Sequence, residues 1–532
     1  MRRTIAVALT GLAIAATAPQ VAVARDSAAT SLPRLERHDG RFSLIVDGEP
    51  YFILAAQLHN SNAWPDMLDA SWKSVEALAA NTVEAPVYWE QFEPEQGRFD
   101  TENVDALIAK ARATDKRLVL LWFGTWKNGQ MQYAPEWVKR DPATYPRQLD
   151  AHGQPLDNLS TFAPANLKAD RRAFTALMAH LKEVDGNRHT VILVQVENEP
   201  GTFGAVRDHS PAANAAFAAP VPEGILKSVH RSSGSWQDVF GPDADEMFNA
   251  WANARYIGAV AQAGKRVYPL PMYVNCWLRY KDKKYPGMDY PSGGPTYNVF
   301  DIWRAASPAI DFIGTDLYTT NATEFRKVLD QYHRPDNPAW VSETGFEPGT
   351  APLLYEVLAR GGIGFSLFGI DNPPSDTQTA TITAHARNYR LLGPINNLLA
   401  RAMADGRLKA AIETAGASRR TLDFGDWRVR LAFGPPPWGS SPAIIPNSPD
   451  IDGRAFVIRL DADHFLVSGV DVRASFERTA EDGRRGQLLR VEEGVYRDGR
   501  WQAHRWLNGD EVDYGINFHK DARLVRVKVG AF

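Results

Sequence analysis

Two glutamates stand where two short apolar runs stop. The run Thr190 to Val196 ends in Val196-Glu197-Asn198-Glu199-Pro200, and the run Pro338 to Ser342 ends in Ser342-Glu343-Thr344-Gly345. Glutamate is disfavoured in strands, so its presence at both ends needs a reason. A structural salt bridge is one reason. Chemistry is the other: a pair of carboxyl groups facing each other is what cleavage of a glycosidic bond requires, one holding a proton while its partner is ionised. Their mutual repulsion helps to separate the two proton affinities. For one glutamate alone the two readings weigh equally, and the pair tips the balance toward chemistry. Glu197 lies two residues before Glu199, so a regular strand would put both on one face.

The elements that must position this pair can be read from the alternation of apolar runs with amphipathic helical patterns, which argues for parallel βα units. Strands are predicted over Tyr51 to Leu58, Thr82 to Val87, Arg117 to Phe123, Thr190 to Val196, Pro271 to Cys276, Asp311 to Asp316, Pro338 to Ser342 and Gly364 to Phe368. Helices are predicted over Asp66 to Ala80, Asn103 to Thr114, Ala169 to Val184, Met247 to Ala263, Ala322 to Tyr332 and Pro352 to Ala359. Eight strands separated by helices imply an α/β fold, a (β/α)8 TIM barrel, whose catalytic groups sit at the C-terminal ends of the strands. Strands four and seven are three positions apart around such a ring, so long side chains from each can meet across its mouth. The long segments Lys127 to Lys168 and Gly201 to Asp245 follow strands three and four. Loops of this length are usually functional, and here they are expected to wall a pocket that favours attack on a terminal sugar.

Beyond about residue 405 the texture changes. Trp427 to Phe433, Ala455 to Leu460, His464 to Val470, Gly486 to Val491 and Leu524 to Val529 read as strands separated by Gly, Asp and Pro turns, which predicts a C-terminal β-sandwich-like domain. The Pro-rich stretch Gly434 to Pro449 reads as a surface loop within it. The expected organisation is a leader over 1–24, a barrel over 32–404 and a β-rich domain over 405–532.

The leader is read from Arg2-Arg3, the apolar run Ile5 to Ala16 and the small-x-small site Ala22-Val23-Ala24, a pattern of export that is too short for a membrane span. Cys276 is the single cysteine, so no intrachain disulfide can form. An exported chain without disulfides suits a bacterial periplasm or cell surface. A net charge of −4 gives no argument for nucleic acid, and the 12 histidines lack metal-ligand spacing. No cofactor or metal is expected. The expected partner is a carbohydrate, and the sequence is silent on oligomeric state.

The run Gln195-Val196-Glu197-Asn198-Glu199 resembles the QVENE signature of glycoside hydrolase family 35, β-galactosidases of clan A related to family 42. Asn81 to Asp100 is similar to the family's second-strand region, including its Glu-Pro-x-x-Gly-x-Phe-Asp ending, and the likeness covers roughly residues 40 to 400. The resemblance implies a retaining enzyme with Glu199 as acid/base, Glu343 as nucleophile and Asn198 on the sugar 2-hydroxyl. Glu197 would bind or orient the site. This chain departs from the family after strand three. It keeps Pro135-Glu136-Trp137 but reads Gly124-Thr125-Trp126-Lys127-Asn128-Gly129-Gln130 before it, with Asn128 where the family has a sugar-binding glutamate. Trp126, Asn128 and Gln130 are therefore candidate sugar contacts, with Tyr88, Trp89 and His59 near other strand ends. Tyr318, just beyond strand six, is placed to bond the nucleophile or the sugar, or to pack at the rim. The resulting expectation is an exo-acting β-galactosidase removing terminal galactose from plant-type side chains. Open alternatives are a same-clan retaining glucosidase or arabinosidase, a sugar-binding barrel without catalysis, and an independent carbohydrate-binding role for the C-terminal domain.

Overall fold

The computed structural model describes residues 31–345, 347–414, 418–434 and 452–532. The expected leader and most of the Pro-rich loop, 435–449, lie outside the described residues.

A meander of three short strands (Arg34–His38, Arg41–Val46 and Glu49–Tyr51) leads into the first barrel strand. The barrel is β1 (Ile53–Gln57), β2 (Thr82–Tyr88), β3 (Arg117–Phe123), β4 (Val191–Val196), β5 (Met272–Val274), β6 (Phe312–Ile313 and Thr315–Asp316), β7 (Trp340–Thr344) and β8 (Gly364–Phe368). All neighbours in the ring are parallel. The ring closes through β6, whose first piece pairs with β5 and whose second pairs with β7. The break falls at Gly314, where a Cβ would lie 2.5 Å from the Ser342 hydroxyl and 2.8 Å from the Trp340 ring, so only glycine lets β6 press this closely on β7.

Each strand is followed by a helix: α1 (Pro65–Leu78), α2 (Glu102–Ala113), α3 (Pro164–Asp185), α4 (Ala244–Val267), α5 (Phe300–Ala306), α6 (Ala322–Tyr332), α7 (Leu354–Ala359) and α8 (Asp376–Leu392). Proline at the first position of α1 and α3 suits a helix start, where its missing N–H is not needed. The TIM barrel inferred from the βα alternation is the observed fold. Two of its helices, α5 and α8, were not predicted, and neither was the following helix Asn396–Ala404.

The C-terminal region contains two antiparallel sheets. Six strands form one, in the order β9 (Leu408–Ile412), β12 (Arg454–Arg459), β13 (His464–Val470), β18 (Arg523–Ala531), β15 (Gly486–Arg497), β16 (Arg500–Trp506). The other holds β10 (Arg419–Asp423), β11 (Trp427–Phe433), β14 (Val472–Arg478) and β17 (Ile516–Phe518). Val429, Leu431, Val457, Val467, Ile516 and Val527 fill the space between them, which is the sandwich the sequence predicted.

Alternation along β12 decides what the second face of the six-stranded sheet meets. Ala455 and Val457 point into the sandwich, while Phe456 and Ile458 join the barrel core. The Phe456 ring lies 6.2 Å from that of Tyr355 on α7. Both faces of β12 are thus buried, which explains its nearly continuous apolar sequence.

Replacing Phe456 with Ala should lower stability by about 3–5 kcal/mol, the usual cost of emptying a buried aromatic site. Urea unfolding followed by tryptophan fluorescence measures it. A loss below about 1 kcal/mol would mean that β12 is not a two-sided strand.

Candidate active site

The cavity at the C-terminal end of the barrel strands has a volume of about 390 Å³, within the range of small-ligand pockets. Glu199, Asp316 and Glu343 reach it from the ends of β4, β6 and β7. One carboxylate oxygen from each lies within 4.8 Å of the others. Lys127, Asn128, His59, Tyr318, Tyr280, Trp277 and Phe368 complete most of its wall. A larger cavity, about 520 Å³, opens on the four-stranded sheet, but arginines 419, 420, 428, 430 and 473 line it and it brings no carboxyl pair together.

The backbone after β4 turns sharply. Glu197 and Glu199 adopt φ of 66° and 44°, the left-handed region that costs a residue with a Cβ roughly 1–2 kcal/mol. Hydrogen bonds impose the turn: Asn198 N–H donates to Trp126 O at 3.3 Å, Glu199 N–H to Asn275 Oδ1 at 2.7 Å, and Gly129 N–H to Glu199 O at 2.9 Å. The turn breaks the alternation that a regular strand would give. Glu199 projects into the cavity, and Glu197 turns toward α3.

There Glu197 accepts the Trp126 N–H at 2.7 Å and sits against Asp170. Asp170 in turn accepts from Trp122 Nε1 at 2.9 Å and Thr125 Oγ1 at 2.7 Å. Burial first, and Asp170 second, push the Glu197 carboxyl well above the usual range, and burial raises Asp170 too. The two buried acids sit against each other and brace the β3 and β4 ends.

Glu343 lies in a set of donors. Gln57 Nε2 donates to its Oε1 at 2.8 Å, Asn198 Nδ2 to the same oxygen at 3.3 Å, and the Tyr318 hydroxyl to Oε2 at 2.9 Å. Burial and the charge of Glu343 push the Glu199 carboxyl up to about 7, although Lys127 and a hydrogen bond with Asp316 work against the rise. Its raised proton affinity suits Glu199 to carry a proton near neutral pH.

The Lys127 ammonium is 3% exposed, donates to Asn128 Oδ1 at 2.5 Å and Asn198 Oδ1 at 2.9 Å, and lies 5.1 Å from the centre of the Phe123 ring. It fixes the Asn198 amide so that its NH2 faces Glu343. Trp277, 37% exposed, stands at the rim with its edge against Phe203.

Of the residues singled out from sequence, Glu199, Glu343, Asn128, Tyr318 and His59 line the cavity, and Asn198 touches it through Glu343. Others are placed elsewhere. Tyr88 is buried, accepts the Ala63 N–H and stacks between Trp64 and Tyr133. Trp89 is buried and donates to Glu93, and Trp126 is buried and donates to Gly201 O. Gln130 accepts from Gln132 and does not reach the cavity wall. All four sit beside the strand ends, where sequence position alone does not reveal which way a ring points. Lys127, Trp277, Gln57 and Asp316 were not singled out. For Asp316 a signal existed, an acid at the end of a strand.

The long loop after β3 contributes Lys127 and Asn128 to the wall. The segment after β4 acts from behind: Phe203 backs Trp277, and Asn158 Nδ2 ties Gly129 O at 2.8 Å to Gly201 O at 3.1 Å. Asp461, Asp463 and His464 form another acid–histidine group in the C-terminal region, but it is solvent-facing and has Lys528 3.7 Å from Asp463.

Residues 43–238 match the model described as Glycosyl hydrolases family 35, so the resemblance carried by the QVENE run holds over this part of the chain. Residues 385–519 match one described as Domain of unknown function (DUF5597). A β-galactosidase of Xanthomonas manihotis is 30% identical over 167 residues, 30% of this chain and 25% of that protein. Beta-galactosidase 17 of Arabidopsis thaliana is 29% identical over 161 residues, 30% of this chain and 22% of that protein. The chain thus spans about a quarter of the length of these relatives. Among solved structures, the β-galactosidase of Bacillus circulans sp. alkalophilus aligns at a TM-score of 0.46 and 13% identity, over 65% of this chain and 57% of that one.

Because Glu199 is raised from 4.5 to about 7 on folding, the charge it acquires as pH climbs opposes the folded state. Below pH 4.5 folded and unfolded forms are both protonated, and stability is lost progressively from there to about 7. Glu199→Gln keeps the neutral form. Its unfolding temperature should match wild type near pH 4, rise above it between pH 5 and 7, and stay higher beyond. A pH-independent difference in calorimetry would contradict the electrostatics described here.

Proposed function

We propose that this chain is a retaining, exo-acting β-galactosidase that removes terminal β-linked galactose from plant-type oligo- or polysaccharide side chains. The observation that carries the reading is the carboxyl separation. One oxygen of Glu199 and one of Glu343 lie within 4.8 Å of each other, a closeness that fits the roughly 5–5.5 Å carboxyl spacing of retaining enzymes better than the roughly 6.5–9.5 Å of inverting ones. The galactoside assignment is supported by the family match and by the names of the relatives.

Glu343 attacks the anomeric carbon while Glu199 gives its proton to the leaving oxygen. Water then attacks the same carbon, Glu199 takes the water's proton, and Glu343 leaves as a carboxylate. Asn198 faces the 2-hydroxyl, and Tyr318 holds the nucleophile until the sugar displaces it. The walls provided by Lys127, Asn128 and Trp277 favour a pocket for one terminal sugar, with the Trp277 face at the rim for the next. Residues 32–404 form the catalytic unit in this reading, 405–532 a β-rich partner unit, and 1–24 a leader that exports the chain to a bacterial periplasm or beyond.

A second reading has a specific observation behind it. Asn128 stands where the family resemblance places a glutamate that holds galactose hydroxyls, and this favours a different glycone, a glucoside or an arabinoside, cut by the same machinery.

A panel of aryl glycosides separates the two. The aryl β-galactoside should give the highest kcat/KM, with a limb falling above pH about 7 as Glu199 loses its proton. Glu343→Ala should lower kcat by about 10⁴-fold or more with the fold intact. Near-normal hydrolysis by that variant would refute the nucleophile, and a preference for another glycone would move the assignment to the second reading.

A further inference from the structure

Asp316 is a third carboxyl at the mouth, and the two-carboxylate mechanism leaves it without a task. It ends the second piece of β6, directly opposite Glu343 in the β6–β7 register. Each of its oxygens already has a donor: Ser342 Oγ at 2.8 Å on Oδ1 and Asn275 Nδ2 at 2.7 Å on Oδ2. The same Asn275 side chain accepts the Glu199 N–H, so one amide fixes Asp316 and Glu199 relative to each other. Burial is nearly complete, 3% exposed for Asp316 and 8% for Glu199. Two carboxyls held side by side in this way are bonded only if a proton lies between them.

We propose that Asp316 is a positioning residue that stays protonated through the whole cycle and donates its hydrogen bond to Glu199, above all when Glu199 is a carboxylate. The inference rests on the reading of Glu199 as acid/base. Crowding argues for it: three buried carboxyls with oxygens within 4.8 Å of one another are strongly disfavoured from all being ionised. Before reaction Glu343 is ionised while Glu199 and Asp316 are protonated, a total of one negative charge. In the first step Glu343 forms the bond to the anomeric carbon, the glycosidic C–O bond breaks, and the Glu199 proton leaves with the aglycone. Glu343 is now a neutral ester and Glu199 a carboxylate, so the total is again one negative charge. The net charge of the pocket is unchanged, and a proton kept on Asp316 is available to hydrogen-bond the new Glu199 anion. In the second step the water proton goes to Glu199, the water oxygen takes the sugar, and Glu343 recovers its charge.

The groups facing this pair are consistent with a retained proton. Glu343 on β7 and Tyr318 beyond β6 present negative charge or none, as do Cys276 and Tyr280 after β5, Tyr273 on β5 and Tyr332 on α6. Lys127 acts on Glu199 as a cation and bonds Asn128 and Asn198, and His59 lines the same cavity. Burial, then Glu343, then Glu199 hold the Asp316 carboxyl well above its ordinary range.

Two variants and two readouts test the idea. Asp316→Asn keeps a donor that cannot ionise, and Asp316→Ala removes it. If Asp316 donates to the Glu199 carboxylate, the basic limb of kcat/KM should move up by roughly one pH unit in Asp316→Ala, a tenfold change in acidity, and return most of the way in Asp316→Asn. A limb that moves down in both variants would mean that wild-type Asp316 is ionised, and an unmoved limb would mean a merely structural role. Either result overturns the proposal. The second readout needs no turnover: at pH 8 the infrared difference between wild type and Asp316→Asn should contain one protonated-carboxyl band. Its absence also overturns the proposal. The band together with no hydrolysis of any aryl glycoside would overturn the proposed function instead, while the protonated Asp316 would stand.

Discussion

Carboxylates as close as those of Glu199, Asp316 and Glu343 repel strongly in a buried pocket, where the screening of bulk water is reduced. Most of the surrounding structure offsets that repulsion. Gln57, Asn198 and Tyr318 place three donors on Glu343. Asn275 and Ser342 hold Asp316. Lys127 supplies one positive charge and orients Asn198. The result is a site in which charge has a settled place before any substrate arrives, the kind of preorganisation that reduces the reorganisation needed during reaction.

The barrel supplies what such a cluster needs. Strands end in register, so Asp316 stands beside Glu343 without any loop to hold it. The break at Gly314 lets β6 serve two neighbours at once, pairing first with β5 and then with β7. Beneath the mouth, the Glu197–Asp170 pair ties the turn after β4 to α3. That turn is strained, and its strain is what separates the directions of Glu197 and Glu199. On the far side, β12 joins the sandwich to the barrel by burying both of its faces.

Much of this was legible in the sequence, and the reasons differ by element. The eight strands could be read because parallel strands buried on both faces are continuous apolar runs. Glu199 and Glu343 could be read because an acid at the end of such a run is out of place. Sandwich strands with one polar face, such as Val472–Arg478 and Arg500–Trp506, were missed because their alternation is diluted by arginine and glutamate. Asp316 was missed as a functional group because Asp-Leu-Tyr at a strand end looks ordinary until the fold brings it to Glu199, 117 positions earlier in the chain. The aromatic residues failed in the opposite direction. Tyr88, Trp89 and Trp126 lie at or just after the ends of β2 and β3, and each is buried in the core.

The central claim is that Glu343 forms a covalent bond to the sugar while Glu199 carries the proton. Incubation with an aryl 2-deoxy-2-fluoro-β-galactoside, followed by intact-mass measurement and peptide mapping, tests it most directly. The account predicts one added fluorosugar per chain, on the peptide containing Glu343. No adduct at saturating reagent with an enzyme that hydrolyses the parent galactoside, or an adduct on Glu199 or Asp316, would contradict it.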